Sequence, residues 1–242
     1  MPVFAGQDDA RRSMALLWGG GEPGEVRPGP KPGLSVDVIV EAAIEVADTE
    51  GMAALSMRRV GERLGRTGMA LYTYVPGKAE LIDLMYDRAL AELPAEYDVG
   101  AGWRPAVASW AGHLLRFYLR HPWMLQVSQA RPVAGPNEFA VLEGLVAILR
   151  GTGLGPRRVR GVVALLFDFV RGAARTCAET GAADGERRRA RSLLLEQAAP
   201  GFTARFPMVT WAEPAADEPA GETFTLGLHV LLDGVEAAVR ET

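Results

Sequence analysis

The sequence predicts an all-α fold, with an N-terminal three-helix helix-turn-helix unit followed by a larger helical domain. Three observations carry that prediction. Apolar residues recur three and four positions apart from Val36 to Val239, the spacing of one face of an α-helix. Residues that start and stop helices punctuate the pattern: Ser35, Ser56 and Pro156 at starts, Gly51 and His121-Pro122 at ends. The composition, 48% apolar and 23% charged over 242 residues, is that of an ordinary globular chain.

Residues 1–33 are read as a flexible arm, because their Gly/Pro-rich second half cannot pack a core. Asp8 to Trp18 could form a short helix within it. The ordered head, residues 34–93, begins at the N-cap Ser35. Val36, Val40, Ala43, Ile44 and Ala47 make one stripe of its first helix, closed by Gly51. Ser56 caps a second helix, with Met57, Val60 and Leu64 inward and Arg58, Arg59 and Arg63 outward. Gly65-Arg-Thr-Gly68 suits a tight turn, and a third helix is expected from about Met69 to Tyr74. Pro76-Gly77 ends it, and Lys78 opens a fourth helix carrying Leu81, Leu84, Met85, Ala89 and Leu90.

Two short helices about a glycine-containing turn form either a plain helical hairpin or a helix-turn-helix, whose second helix enters the DNA major groove. Net charge taken whole, −4, speaks against DNA. Its placement reverses the inference. Residues 57–79 hold Arg58, Arg59, Arg63, Arg66 and Lys78 against Glu62 alone, while Asp37, Glu41, Glu45 and Asp48 gather on the first helix.

Residues 35–93 resemble the DNA-binding domain of the tetracycline-repressor (TetR) family of bacterial regulators. The likeness lies in Leu55 to Gly65 and in Met69 to Leu81. The second stretch completes a Leu-Tyr-x-aromatic-Val-x-x-Lys-x-x-Leu pattern as Leu71, Tyr72, Tyr74, Val75, Lys78 and Leu81. The resemblance implies DNA contact by Arg58, by Thr67, Gly68, Met69 and Thr73 toward bases, and by Tyr72, Tyr74 and Lys78 toward phosphates. It implies double-stranded operator DNA, a small-molecule effector and a second copy of the chain as partners. The function implied is a repressor released from its operator by a small apolar or amphipathic ligand. The alternative is a helical interaction or scaffold protein that uses the same apolar faces without DNA.

Residues 94–242 read as an all-helical domain, with helices near Trp103–Leu119, Trp123–Gln129, Asn137–Leu149, Pro156–Thr180, Glu186–Ala199 and Glu222–Arg240. Pro200 to Gly221 reads as an irregular surface loop. The fourth and last of these helices are apolar on more than one face, which suits a central helix in a monomer or a two-fold helical interface. The family likeness favours the dimer, and Val163, Leu166, Val170, Leu228, Leu231 and Val235 are its candidate interface. The resemblance also places a ligand inside this ligand-binding and dimerisation domain. Candidate walls are Trp110, His113, Phe117, Trp123, Met124, Phe139, Phe167 and Arg171. The stretch Phe206 to Gly234 resembles one subgroup's C-terminus.

Other classes fall away. A single cysteine, Cys177, excludes an internal disulfide and favours a reducing, cytoplasmic setting. The longest apolar run, Gly161–Val170, is interrupted by Asp168 and falls short of the ~20 residues a spanning helix needs. Gly19 to Gly24 spells Gly-x-Gly-x-x-Gly but follows no strand. Three scattered histidines lack metal-ligand spacing, and neither a P-loop nor a Gly-x-Ser-x-Gly elbow occurs. No enzyme activity, cofactor or metal is therefore expected.

Overall fold

Ser35 and Ser56 start the first two head helices by accepting, through their hydroxyls, the N–H groups of Val38 (3.3 Å) and Arg59 (3.1 Å). In the computed structural model, residues 3–4, 10–19, 33–128, 132–179, 190–191, 194–195, 197–212 and 221–241 are described. The chain divides into two compact units, Met1–Arg171 and Gly172–Thr242.

The first unit opens with β1 (Val3–Phe4) and α1 (Ala10–Trp18), and the head follows as α2 (Val36–Glu50), α3 (Met57–Arg63) and α4 (Gly68–Leu71). Then come α5 (Lys78–Leu90), α6 (Trp103–Arg120), a 3₁₀ turn (Pro122–Gln126), β2 (Val127–Ser128) and α7 (Pro136–Arg150). Helix α8 (Pro156–Glu179) runs from this unit into the second. Gly51 closes α2 at φ 82°, donating its N–H to Ala47, as expected of a left-handed stop.

Helix α5 is the hub. It packs against α1, α2 and α7, and is buried nearly all round. Even its acidic side chains are drawn in. Asp87 accepts the N–H groups of Asn137 (3.0 Å) and Glu138 (2.9 Å), so a side chain of α5 caps the start of α7. Gly135 is required beside that cap, because a Cβ there would lie 2.1 Å from Asp87 Oδ1.

The expected flexible arm is partly replaced by structure. Residues Ala10–Trp18 form a helix docked on α5, with Ser13 and Leu17 buried. Trp18 donates its indole N–H to the Ala134 carbonyl (2.8 Å) and its ring meets Phe139 at 6.1 Å. The backbone of β1 pairs in parallel with β2, Val3 opposite Val127, a two-residue ribbon in an otherwise helical fold. Amphipathic patterning over nine residues drives this docking, where the composition of the whole arm suggested none.

In the second unit α8 ends, α9 (Phe202–Arg205) and α10 (Pro207–Trp211) follow, and α11 (Glu222–Arg240) closes the chain. The loop expected over 200–221 is thus helical at 202–205 and 207–211, because Pro207 starts α10 and Phe202 stacks on Phe206 at 5.0 Å. Much of the helix expected over 186–199 lies outside the described residues. Among the described residues no helix is long and apolar enough to cross a membrane.

Candidate nucleic-acid interface and effector cavity

Two glycines make the reading head. A Cβ on Gly61 of α3 would lie 2.9 Å from Gly68 N and from Arg66 O, and one on Gly68 would lie 3.1 Å from Arg58 Cα. Helices α3 and α4 can therefore cross almost backbone to backbone, and the Arg66 N–H closes the turn on Gly61 O at 2.8 Å. Gly65, at φ 65°, supplies the left-handed residue that reverses the chain. Leu71 and Val75 anchor α4 in the core.

This packing leaves one face outward. Met69 is 76% exposed, and Thr67, Tyr72, Thr73 and Tyr74 are exposed beside it. Gly68 is half-buried at the start of α4, where its role is close packing. Helix α4 itself is shorter than expected, Gly68–Leu71, and continues to Val75 as turns bonded to the Leu71 carbonyl.

The cationic window is less free than its count suggests. Arg59 grips Glu50 of α2 (2.7 Å) and reaches Glu62 (3.3 Å), which raises the guanidinium pKa and holds the Glu50 carboxyl below its ordinary range. Arg63 pairs with Glu45 (2.7 Å). Two of the basic side chains thus staple α3 to the acidic face of α2. Arg58 pairs only along its own helix with Glu62 (2.7 Å), and its side chain remains 83% exposed. Arg66 has no ion-pair partner among the described residues. Lys78 donates to the Leu55 carbonyl at 2.6 Å, so its ammonium is anchored to the head.

A cavity of about 240 Å³ lies in the body of the first unit. Tyr86 and Leu90 of α5, Tyr118 of α6, and Val127 and Ser128 of β2 form part of its wall. Pro132, Val133, Glu138, Phe139, Val141 and Leu142 add the loop before α7 and its first turns, and Val163 and Phe167 of α8 complete it. A wider groove of about 570 Å³ shares Leu142 and Val163 and is rimmed by Arg150 and Arg160. Glu138 is the acidic group in this apolar setting. Burial pushes its carboxyl pKa up against the N–H bonds from Ala134 and Val133 that pull it down. Folding thus favours its protonated form relative to the unfolded chain, so the stability it contributes is present at low pH and lost as pH rises through the raised value.

Of the eight expected wall residues, only Phe139 and Phe167 line the cavity. Trp110, Phe117, Trp123 and Met124 are core, Trp110 standing edge-on to Phe167 at 5.0 Å. His113 bonds the Ser109 carbonyl (2.8 Å) and meets Tyr97. Arg171 donates to the carbonyls of Leu125 (2.9 Å) and Val127 (2.7 Å), with its guanidinium over the Tyr118 ring. Its Nη1 is buried with no partner among the described residues. The largest aromatics made the most attractive wall candidates, and the same size draws them into the core. Tyr86, Tyr118 and Glu138 were legible only as an aromatic or acid within apolar helical stretches.

The candidate interface residues differ in their burial within the single chain. Leu166, Val170, Leu228 and Val235 are buried within the single chain, Leu231 is half-buried and Val163 faces the cavity. The outward residues are Gly161, Ala164 and Leu165 on α8, and Leu226, Val230, Gly234 and Ala237 on α11.

A helix-turn-helix head with an exposed reading face, on a helical body holding an apolar cavity, is the architecture of a DNA-binding regulator. Residues 39–85 match the model of bacterial regulatory proteins of the tetR family, and residues 95–239 match the tetracyclin repressor-like C-terminal domain. The HTH-type transcriptional repressor DrrR1 of Streptomyces coeruleorubidus is 39% identical over 98% of this chain and 89% of its own. Apo ActR from Streptomyces coelicolor is 28% identical with a TM-score of 0.74, covering 88% of this chain and 99% of that one. ActR in complex with actinorhodin is 29% identical, also at 0.74, over 86% and 98%. The chain belongs to the TetR family of bacterial transcriptional regulators. It is a DNA-binding transcriptional regulator of that family, and the scaffold alternative falls.

Proposed function

We propose that two copies of this chain bind a partly palindromic operator, each inserting α4 into a major groove. The observation that carries the reading is the exposed face around Met69, held outward by the Gly61–Gly68 crossing. Met69 and Thr73 offer methyl groups to a thymine methyl, Thr67 and the Gly68 backbone approach a base pair closely, and Arg58 has the reach for a bidentate guanine contact. The hydroxyls of Tyr72 and Tyr74 serve phosphate oxygens, with Lys78 adding charge from its anchored position. Self-association uses the outward stripe of α11 and the outward small residues of α8, where a Cβ added at Gly161 or Gly234 meets nothing within 4 Å. The protein works in the cytoplasm, where its operator is.

The effector enters the cavity bounded by Tyr86, Tyr118, Phe139 and Phe167, whose rings suit a flat apolar molecule. ActR in complex with actinorhodin supports a ligand site in this body. Occupancy favours a head separation that no longer matches consecutive grooves, about 34–36 Å apart, and the operator is released.

Selection of duplexes from a random pool, followed by binding across a salt series, tests this. A specific complex is expected whose affinity falls by orders of magnitude, ~10³-fold or more, between low and moderate salt. Enrichment of no duplex would end the reading.

A further inference from the structure

His121 ends α6, and its side chain is only 4% exposed. Nδ1 lies 2.9 and 3.0 Å from the two carboxylate oxygens of Asp48, and Nε2 lies 3.1 Å from Glu92 Oε1. The ring thus stands between two carboxylates, one nitrogen at hydrogen-bond distance from each. Trp123 donates its indole N–H to Asp48 at 2.8 Å, and Arg120 Nη1 holds the other oxygen of Glu92. Burial alone would raise the Glu92 carboxyl, yet the bonds from His121 and Arg120 prevail and hold it below its ordinary range.

The placement of these residues is what matters. Asp48 belongs to α2 of the reading head. Glu92 follows α5, the helix that runs from the head into the body. His121, Arg120 and Trp123 belong to the body. Three structural parts thus meet in one directional cluster. Apolar packing between α2 and the 3₁₀ turn tolerates sliding, whereas hydrogen bonds with defined donors fix an angle.

We propose that His121 is a positioning residue, clasped between Asp48 and Glu92, that sets the angle of the reading head on the effector body. The proposal rests on the two-half-site reading given above. Its consequence is that the clasp sets which half-site spacing the protein prefers, while leaving the contacts of each single head untouched.

The test uses full-length protein and duplexes selected by it, re-synthesised with the spacer lengthened or shortened by one or two base pairs, together with a single half-site. The unaltered chain should favour one spacing by about tenfold, a difference of roughly 1.4 kcal/mol. His121→Gln and Asp48→Asn should each flatten that preference to below about threefold, keep half-site affinity, and combine with no further loss, as coupled partners do. Should His121→Gln fail to fold, Asp48→Asn and Glu92→Gln carry the same expectation, since their carboxylates are partly exposed. A spacing preference indifferent to these variants overturns the clasp alone. So does a loss of half-site and full-site affinity in equal proportion, which marks a merely structural role. If the unaltered protein enriches no duplex, the two-half-site reading fails and the clasp with it.

Discussion

Lys78 shows how one side chain can serve two purposes. Its place in the Leu-Tyr-x-aromatic pattern marks it as a phosphate contact, and the structure spends its ammonium on the Leu55 carbonyl at 2.6 Å. Lys78→Met should therefore lower both stability, by about 1.5 kcal/mol for the lost hydrogen bond to a charged donor, and duplex affinity. Tyr72→Phe should lower affinity alone, because the Tyr72 side chain is exposed at the end of α4. Thermal melting set beside duplex titration separates the two, and an unchanged melting curve for Lys78→Met would count against the anchor. Arg59 and Arg63 teach the complementary lesson. Their count in the sequence suggested a free basic patch, yet Glu50 and Glu45 neutralise them from another helix. Charge along a chain is legible; the partner across space is not.

At the scale of elements, capping and periodicity were the readable signals. Ser35, Ser56, Gly51 and Pro156 begin or end helices where they were expected to, because a cap is satisfied by neighbours in sequence. The stripe of α2 was only partly legible. Val40, Ala43 and Ala47 are buried, but so are Ile39, Ala42 and Val46, whereas Val36 and Ile44 are only half-buried. A helix wedged between α3 and α5 buries two adjoining faces, and a single stripe cannot show that. Helix α1 was weighed as a short helix but not as a docked one. Leu17→Asp should undock it, exposing the bond near residue 19 to faster proteolysis, while α2 to α5 keep their structure. A cleavage rate equal to that of the unaltered chain would argue that the docking contributes nothing.

For the whole molecule, self-association is the property most open to test. Val230 is 72% exposed on α11, in line with Leu226, Gly234 and Ala237. Val230→Glu should halve the mass in solution and weaken operator binding by at least tenfold, roughly 1.4 kcal/mol, since each head then binds alone. Light scattering that still reports a dimer would move the interface elsewhere. Leu231→Glu, the choice that sequence periodicity favours, should also destabilise the fold, because that side chain is half-buried in its own chain. The sequence by itself determined the helical class, the starts of helices α2, α3 and α5 in the head and the family to which the chain belongs. Those depend on local capping, on residue period and on a contiguous motif. The tertiary structure alone decided which apolar stripe faces inward, which aromatics border the cavity, which cations are already paired, and that His121 joins Asp48 to Glu92. Each of these is a competition between residues far apart in the chain for the same space or the same charge, settled only by packing.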